Sequence, residues 1–296
     1  MRDELYLIDT HVHPISKDKD LYPLRSTQTT EPQQDSLRRP GEGGMVEKGM
    51  NTEETLSVMK PAGVQRLVLV QSASLYGYDN SYIADSAARH PDHCISLCAI
   101  DMLADDAPDV LSYWIEQRKM RGVRITTADS LDDPKSFAVW ERARALRVPV
   151  DVQMQPRHFE KLRVPLNRFP DVPVLIDHAA NANRHASDGT PAPAEPPHWL
   201  LSLAEFQNCY LKLTSQNIDG VLEVTDSAEV FFGPIREAFG ARRLMWGSDW
   251  PATADQPYAD RLYQAQEAFG FMSIVDQQFV LGGTAGLLWP ELKITV

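Results

Sequence analysis

The chain has 296 residues, of which 43% are apolar and 8% aromatic, and its 29 Lys+Arg against 41 Asp+Glu give a formal net charge of −12. This composition is typical of a globular protein with a sizeable core and excludes wholesale disorder. The acidic balance argues against a nucleic-acid partner, because binding to phosphates needs a basic surface.

The sequence also predicts the compartment. The charged start of the chain carries no secretory signal, and no run of about eighteen apolar residues predicts a membrane span. Three cysteines, Cys94, Cys98 and Cys209, lack the spacing of a metal site, so we expect reduced, packed thiols. These features favour a cytoplasmic protein without a membrane partner.

Eight short apolar runs recur along the chain, rich in Val, Ile and Leu without strict alternation, which is typical of parallel strands buried on both faces. They are residues 6–10, 66–71, 95–100, 122–125, 149–154, 173–177, 209–213 and 243–247. Each is followed by polar residues and then by a helical pattern, several of which open on proline. The predicted helices are residues 51–63, 80–89, 107–119, 134–146, 156–169, 197–207, 227–239 and 257–269.

This alternation predicts an α/β fold, a (β/α)8 TIM barrel forming one domain over residues 1–296. A doubly wound open sheet is the alternative, but no glycine-rich phosphate turn follows the first strand. Two polar segments, residues 14–48 and 181–197, are too long for ordinary connections. In a barrel they follow strands 1 and 6, where they would serve as binding loops or simply as variable surface loops.

Three strand ends carry residues suited to chemistry. The sequence Asp9-Thr10-His11-Val12-His13 ends the first strand, and alternation predicts that His11 and His13 project together. The sixth strand ends in His178 and the eighth in Asp249. Each residue alone is explicable as structural, but a barrel brings strand ends to one rim, where active sites lie.

These residues resemble the motifs of the amidohydrolase superfamily. The match covers nearly the whole chain through His11-x-His13, His178 and Gly-Ser-Asp249-Trp-Pro. It is closer to the branch of small-lactone hydrolases that includes 2-pyrone-4,6-dicarboxylate lactonase and sugar lactonases. Supporting stretches are residues 70–80, Arg121-Gly-Val-Arg124 and Leu211-Lys212-Leu213.

The resemblance implies a metal in some members, held by the first-strand histidines, the last-strand aspartate and commonly a fifth-strand histidine. Here Gln153 occupies that fifth-strand position, and a neutral amide is a poor zinc ligand. Arg124 on the fourth strand would repel a second divalent ion. We therefore expect no required cofactor, with a single zinc on His11, His13 and Asp249 as the alternative.

The lactonase resemblance also implies roles for the rim residues. Asp249 would act as general base on water, while His178, with His11 and His13 nearby, would donate hydrogen bonds to the carbonyl oxygen. Arg124 would hold a substrate carboxylate or hydroxyl-rich edge, unless it forms an ion pair inside the barrel.

Further candidates for substrate binding are Ser74 and Tyr76, predicted on a loop after the second strand, with ordinary packing as the alternative for Tyr76. Gln153, Asn181 and Asn217 are neutral amides, which bind hydroxyls and carbonyls without supplying charge. A less charged lactone than a dicarboxylate is therefore expected, from a sugar acid or an aromatic-degradation intermediate. Trp250, Tyr22 and Tyr210 are predicted near the rim, where they would stack on a ring or pack.

Three classes of function stay open at this point. The first is hydrolysis or isomerisation of a small-molecule lactone by a monomer or small homo-oligomer. The second is a zinc-dependent hydrolase or a non-oxidative decarboxylase. The third is a barrel that only binds, against which the intact His11, His13, His178 and Asp249 argue.

Overall fold

The computed structural model describes residues 6–25, 49–184 and 192–293. Eight parallel strands follow one another in chain order around a nearly closed barrel, which confirms the predicted (β/α)8 fold. The strands are β1 (Ile8–Val12), β2 (Arg66–Val70), β3 (Cys94–Ala99), β4 (Val123–Ile125), β5 (Val150–Val152), β6 (Val174–Ile176), β7 (Cys209–Thr214) and β8 (Leu244–Gly247).

The helices mostly follow the predicted pattern. They are α1 (Thr52–Met59), α2 (Ala73–Tyr76), α3 (Ser81–Arg89), α4 (Ala107–Ser112), α5 (Phe137–Leu146), α6 (Phe159–Arg168), α7 (His198–Ser202), α8 (Ser215–Leu222), α9 (Glu229–Phe239), α10 (Tyr258–Ala268), α11 (Ile274–Gln278) and α12 (Thr284–Leu288). Single 3₁₀ turns extend several of them, and π turns follow α4 at Tyr113–Gln117 and α11 at Phe279–Gly283. Residues 26–48 of the first long polar segment and residues 185–191 of the second lie outside the described residues.

Several predicted boundaries are wrong. Strand β1 begins and ends two residues later than predicted, at Ile8 and Val12, and hydrogen bonds to the end of β8 hold its last residues. Ser74 and Tyr76 lie in the one-turn helix α2 rather than on a loop. Helix α8 was not predicted, since its capping box pairs Thr214 with Asn217 where the usual signal is Glu or Gln.

The barrel closes between β1 and β8. The backbone N–H of Asp249 donates to the carbonyl of His11 at 2.9 Å, and that of His13 donates to Trp250 at 2.7 Å. A parallel bridge joins Val12 and Trp250. These bonds hold the ends of the first and last strands side by side, so residues on the two strand ends are brought together.

Apolar side chains fill the lower part of the barrel, towards the amino ends of the strands. This inner core comprises Ile8, Val68, Val70, Ile95, Leu97, Leu175 and Met245, packed with Ala285, Trp289 and Leu292 of the C-terminal segment. Trp289 Nε1 donates to the carbonyl of Arg121 at 2.9 Å and thereby ties that segment to the barrel. The predicted helices did not include this segment. The C-terminal segment thus packs against the amino end of the barrel.

The larger core lies between the strands and the surrounding helices and includes Trp140, Phe231 and Phe232. All three cysteines are buried with free thiols, as expected. Within the described ranges, no helix is both long and apolar enough to cross a bilayer.

Candidate active site

Four predicted site residues meet at the carboxyl end of the barrel. His13 Nε2 lies 3.4 Å and His11 Nε2 lies 3.7 Å from Asp249 Oδ1. The ring centroids of His11 and His178 are 4.7 Å apart. All four side chains are buried, with His13 the most exposed at 4%. Residues from the first and the last strands of the barrel thus form one cluster.

A β-bulge and a buried carboxylate position the histidines of β1. The register of β1 against β2 shifts by one residue between Asp9 and Val12, a device that re-aims side chains near functional sites. Asp9 Oδ1 accepts the backbone N–H of His11 at 3.1 Å and of Ser248 at 2.8 Å. Burial raises the pKa of Asp9 to about 6. Asp9 therefore links the strand that carries the histidines to the strand end that carries Asp249.

Backbone contacts define the protonation of His13. Its Nδ1 lies 2.7 Å from the carbonyl oxygen of Val70. Because a carbonyl only accepts, Nδ1 carries the proton and Nε2 faces the site. Burial lowers the pKa of His13, as it does more strongly for His11, so both rings are held neutral.

An unusual turn presents His178. Residues 178–181 have φ between +46° and +56°, the left-handed region that non-glycine residues rarely adopt. His178 Nδ1 lies 2.9 Å from Thr214 Oγ1, whose own proton goes to Asn217 Oδ1 at 3.1 Å. His178 Nδ1 is therefore the donor, and Nε2 is the nitrogen that points away from Thr214.

Amide side chains hold this turn in place. Asn217 Nδ2 donates to the carbonyl of His178 at 2.8 Å and to Asn183 Oδ1 at 2.7 Å. Asn181 Nδ2 donates to the carbonyl of Met154 at 2.9 Å. In this structure Asn181 and Asn217 thus support the turn, and their predicted binding of substrate stays a prediction.

Asp249 also has a left-handed backbone, with φ of +59°, which aspartate tolerates better than most residues. Gln216 Nε2 at the start of α8 hydrogen-bonds to Asp249 Oδ2. The sequence did not single out Gln216, because an isolated glutamine at a helix start carries no distinctive signal.

A buried ion cluster of Arg124, Asp151, Asp177 and Lys212 lies beneath the histidines. Lys212 Nζ is 2.6 Å from Asp151 Oδ2 and 3.2 Å from Asp177 Oδ1. Arg124 Nε and Nη2 lie 2.9 and 2.8 Å from Asp177 Oδ2. Burial alone would raise the pKa of Asp177, but the charges of Lys212 and Arg124 outweigh it and hold that pKa well below its usual value.

The contacts of Arg124 in the ion cluster bear on its predicted role in substrate binding. Its side chain is 3% exposed, and Nη1 donates to the carbonyl of Gln71 at 2.9 Å. The structure therefore realises the ion-pair alternative, while substrate binding by Arg124 stays a prediction. The sequence missed Asp151 and Lys212 as site residues. The sequence signal that could have found them is a single charged residue inside an apolar strand. Such a residue needs a partner of opposite charge, because a buried charge is costly without one.

The remaining candidates lie around this centre. Tyr76 is 6% exposed, its hydroxyl accepts the backbone N–H of Ser16 at 2.9 Å, and burial raises its pKa to about 12. Ser74 Oγ lies 3.2 Å from Ser72 Oγ. Gln153 is half-buried directly after β5. Their predicted contacts with substrate stay predictions.

The predicted aromatic rim is only partly present. Trp250 is buried and packs edge-on against Tyr258, with ring centroids 5.4 Å apart. The Tyr22 hydroxyl donates to Asp85 at 2.7 Å. Tyr210 lies at the amino end of β7, so its predicted place near the rim is wrong.

The donor atoms of His11, His13 and Asp249 fit one divalent ion. Their separations are 3.0, 3.4 and 3.7 Å, close to the roughly 3.3 Å between neighbouring ligands of a tetrahedral zinc. A second group, His11, Asp177 and His178, is also compact. It fits an ion poorly, because Asp177 is already bound by Lys212 and Arg124.

The fold and this rim of histidines and a carboxylate define an amidohydrolase-type barrel. The chain belongs to the Amidohydrolase family, whose family model matches residues 8–290. An L-fucono-1,5-lactonase from Burkholderia ambifaria is 30% identical over 199 residues, which cover 65% of this chain and 67% of that protein.

Solved structures share the fold. A probable 2-pyrone-4,6-dicarboxylic acid hydrolase from Acinetobacter baumannii, with citric acid bound, superposes with a TM-score of 0.70 at 18% identity, covering 96% of this chain and 99% of that chain. An amidohydrolase from Burkholderia multivorans with bound zinc gives a TM-score of 0.73 at 18% identity, with the same coverage of both chains.

Proposed function

We propose that this protein hydrolyses a small, weakly charged lactone, with a sugar-acid lactone as the substrate class. The observation that carries the proposal is the meeting of Asp249 with three imidazoles at the carboxyl end of the barrel. The likeness to an L-fucono-1,5-lactonase supports the same substrate class.

In the proposed mechanism Asp249 is the general base. Its Oδ1 atom takes a proton from a water molecule as the water oxygen attacks the lactone carbonyl. Gln216 holds the other carboxylate oxygen and so keeps the attacking geometry. The ring C–O bond then breaks, and Asp249 returns the proton to the leaving alkoxide, which yields an open-chain hydroxy acid.

His178 stabilises the oxyanion that forms during attack. Donors fixed before the reaction lower the barrier most, because no reorganisation is needed when charge develops. His178 donates to substrate only when its ring carries a second proton, because its first proton is bound to Thr214. The ring of His11 contacts those of both His13 and His178, and hydrogen bonds from His11 and His13 to the carbonyl oxygen stay a prediction.

The substrate class follows from the charge of the site. The buried cations Arg124 and Lys212 are already paired with Asp151 and Asp177, so we expect neither cation to bind the carboxylates of a dicarboxylate. If a hydroxyl of the substrate attacked the lactone carbonyl in place of water, the product would be an isomeric lactone. The same site residues would act in this isomerisation.

A metal is not required by this mechanism. His11, His13 and Asp249 would hold a zinc ion, which when bound supplies Lewis-acid polarisation of the carbonyl. The cytoplasmic location, the single domain and a monomeric or small homo-oligomeric state are proposed on the sequence alone.

A pH-indicator screen tests the proposal. The purified protein is assayed against neutral sugar lactones and a pyrone dicarboxylate, with blanks for spontaneous opening, before and after treatment with a strong chelator. We expect acid release from a neutral sugar lactone that survives chelation while metal analysis shows less than one zinc per chain. Carbon dioxide release from aromatic acids, or no acid from any lactone, would contradict the proposal.

A further inference from the structure

We propose that Arg261 fixes the position of the Asp249 carboxylate by tying helix α8 to the loop that follows β8, residues 248–257. Arg261 is a positioning residue in this proposal, since it acts through Asp219 and Gln216 of that helix. The consequence for catalysis rests on the proposed lactone hydrolysis, whereas the position of the carboxylate does not.

Arg261 is a buried cation at the start of α10. Its side chain is only 2% exposed, and a guanidinium so deeply buried is costly unless its N–H groups are bound. Its Nε donates to the carbonyl of Thr253 at 3.1 Å, and its Nη2 donates to Asp255 Oδ1 at 2.7 Å. Arg261 thereby fixes α10 to the loop after β8.

The same guanidinium also binds helix α8. Its Nη1 donates to both carboxylate oxygens of Asp219, at 2.7 Å to Oδ1 and 2.9 Å to Oδ2. Gln264 Nε2 donates to the same Oδ1 at 3.0 Å. Because a guanidinium is a planar and rigid fork of donors, these bonds fix the direction of approach as well as the distance. One arginine therefore joins α8 to the loop after β8.

The loop carries this connection to the backbone of Asp249. Thr253 Oγ1 donates to the carbonyl of Ser248 at 2.9 Å, and Ser248 Oγ accepts the backbone N–H of Trp250 at 3.0 Å. Ser248 and Trp250 flank Asp249, whose φ of +59° lies in the left-handed region. The bonds that begin at Arg261 thus help to hold this backbone conformation.

Helix α8 carries the connection to the side chain of Asp249. Gln216, in the first turn of α8, donates through Nε2 to Asp249 Oδ2. Asp219 lies about one helical turn further on, where Arg261 binds it. The backbone and the side chain of Asp249 are therefore held by two segments that meet at Arg261.

The opposite side of α8 is held by other contacts. Asn183 Nδ2 donates to the carbonyl of Asn217 at 2.6 Å, and Asn217 Nδ2 donates to the carbonyl of His178 at 2.8 Å. These bonds tie α8 to the turn after β6. We therefore expect α8 to stay folded when it loses its contact with Arg261, while its first turn shifts relative to the loop after β8.

The first test measures the hydrogen bond between Gln216 and Asp249 by NMR of ¹⁵N-labelled protein without substrate. The side-chain amide signal of Gln216 is identified by its loss in Gln216→Met. In the wild type we expect an Nε2 proton that is shifted downfield and exchanges slowly with water. Both features should weaken in Asp219→Ala and in Arg261→Lys, which keeps the charge but not the fork. An unchanged signal in both variants would overturn the proposal.

The second test uses the lactone that the wild type hydrolyses fastest. Asp219→Ala should lower kcat on the order of tenfold with KM unchanged, because a displaced base slows the chemical step rather than binding. Asp276→Ala is the matched control, since Asp276 of α11 also pairs with an arginine, Arg236 of α9, outside the site. Equal kcat values for the two variants would count against the proposal.

A double-mutant cycle separates positioning from a general loss of stability. Gln216→Met removes the bond to Asp249, so the addition of Asp219→Ala to this variant should lower kcat no further. If the two effects multiply instead, Asp219 does not act through Gln216 and the proposal fails. If Asp219→Ala does not fold, Asp219→Asn, which keeps one acceptor for Arg261, replaces it in all three measurements with the same direction expected.

These measurements distinguish the proposal from the proposed function. If the protein hydrolyses no lactone, the proposed function is wrong, and the NMR comparison alone decides whether Arg261 positions Asp249. If lactones are hydrolysed but the Gln216 signal is the same in the wild type and the variants, the proposed function stands and the role of Arg261 is refuted.

Discussion

The residues around His11 decide the chemical role of its side chain. Its two ring nitrogens contact His13 on one side and Lys212 and Asp177 on the other, while its backbone is bound by Asp9 and Asp249. An imidazole is donor, acceptor or ligand according to these partners. The role of each site residue is therefore decided by neighbours distant in the chain.

At this scale the role of Asp249 is directly testable. Asp249→Asn keeps the shape of the side chain but cannot take a proton, so we expect kcat for lactone hydrolysis to fall by at least about 10²-fold, the scale of a positioned base. Circular dichroism should show an unchanged fold. Asp276→Asn, which removes an acid that pairs with Arg236 outside the site, is the control and should keep normal kcat. Near-normal turnover by Asp249→Asn would refute the assigned role.

Arg124→Met separates the two interpretations of this arginine. The sequence predicts a strongly raised KM with an intact fold. The buried pair with Asp177 adds an expected loss of about 3–5 kcal/mol in the free energy of unfolding, measured by urea denaturation. Arg144→Met, whose pair with Asp171 is more than half exposed, should change stability by less than about 1 kcal/mol. A raised KM at unchanged stability would instead favour substrate binding by Arg124.

Among the elements, the junction of β1 and β8 controls the site. Asp9 joins the two strands through the N–H groups of His11 and Ser248, and β8 passes close to His11 at Gly247. A Cβ atom on Gly247 would lie 2.6 Å from His11 Cβ. Only glycine lets the strands approach this closely.

Gly247→Ala should therefore displace His11. We expect a loss of about 1–3 kcal/mol in stability from overpacking, together with a fall in kcat on the order of 10²-fold from the misplaced ring. Gly233→Ala in α9 is the control, since its added Cβ would meet Glu229 Cγ at an ordinary 3.5 Å. It should leave kcat unchanged and stability unchanged or slightly raised, because alanine favours helix. Equal behaviour of the two variants would contradict this account of the junction.

At the scale of the whole molecule, burial in the core changes the pKa of cysteine thiols. Burial raises the pKa of Cys209 from about 9.0 to about 12. The folded state keeps this proton to a higher pH than the unfolded chain. The resulting stabilisation is complete below about pH 9 and is lost as the pH rises towards 12.

Cys209→Ala should flatten this dependence. Urea denaturation across that pH range is expected to show a slope smaller than that of the wild type by about 1.4 kcal/mol per pH unit. Val150→Ala, a buried change without a titrating group, should lower stability equally at each pH. Parallel curves for the wild type and Cys209→Ala would contradict the prediction.

The sequence by itself determined the eightfold alternation and the four rim residues His11, His13, His178 and Asp249, because strand ends are marked by local patterns of apolar and polar residues. Tertiary structure alone decided the ion cluster, the left-handed turn at His178 and the proton positions on the rings. These depend on contacts between strands far apart in the chain, and a charged residue such as Lys212 reveals its partners only when the barrel closes around it.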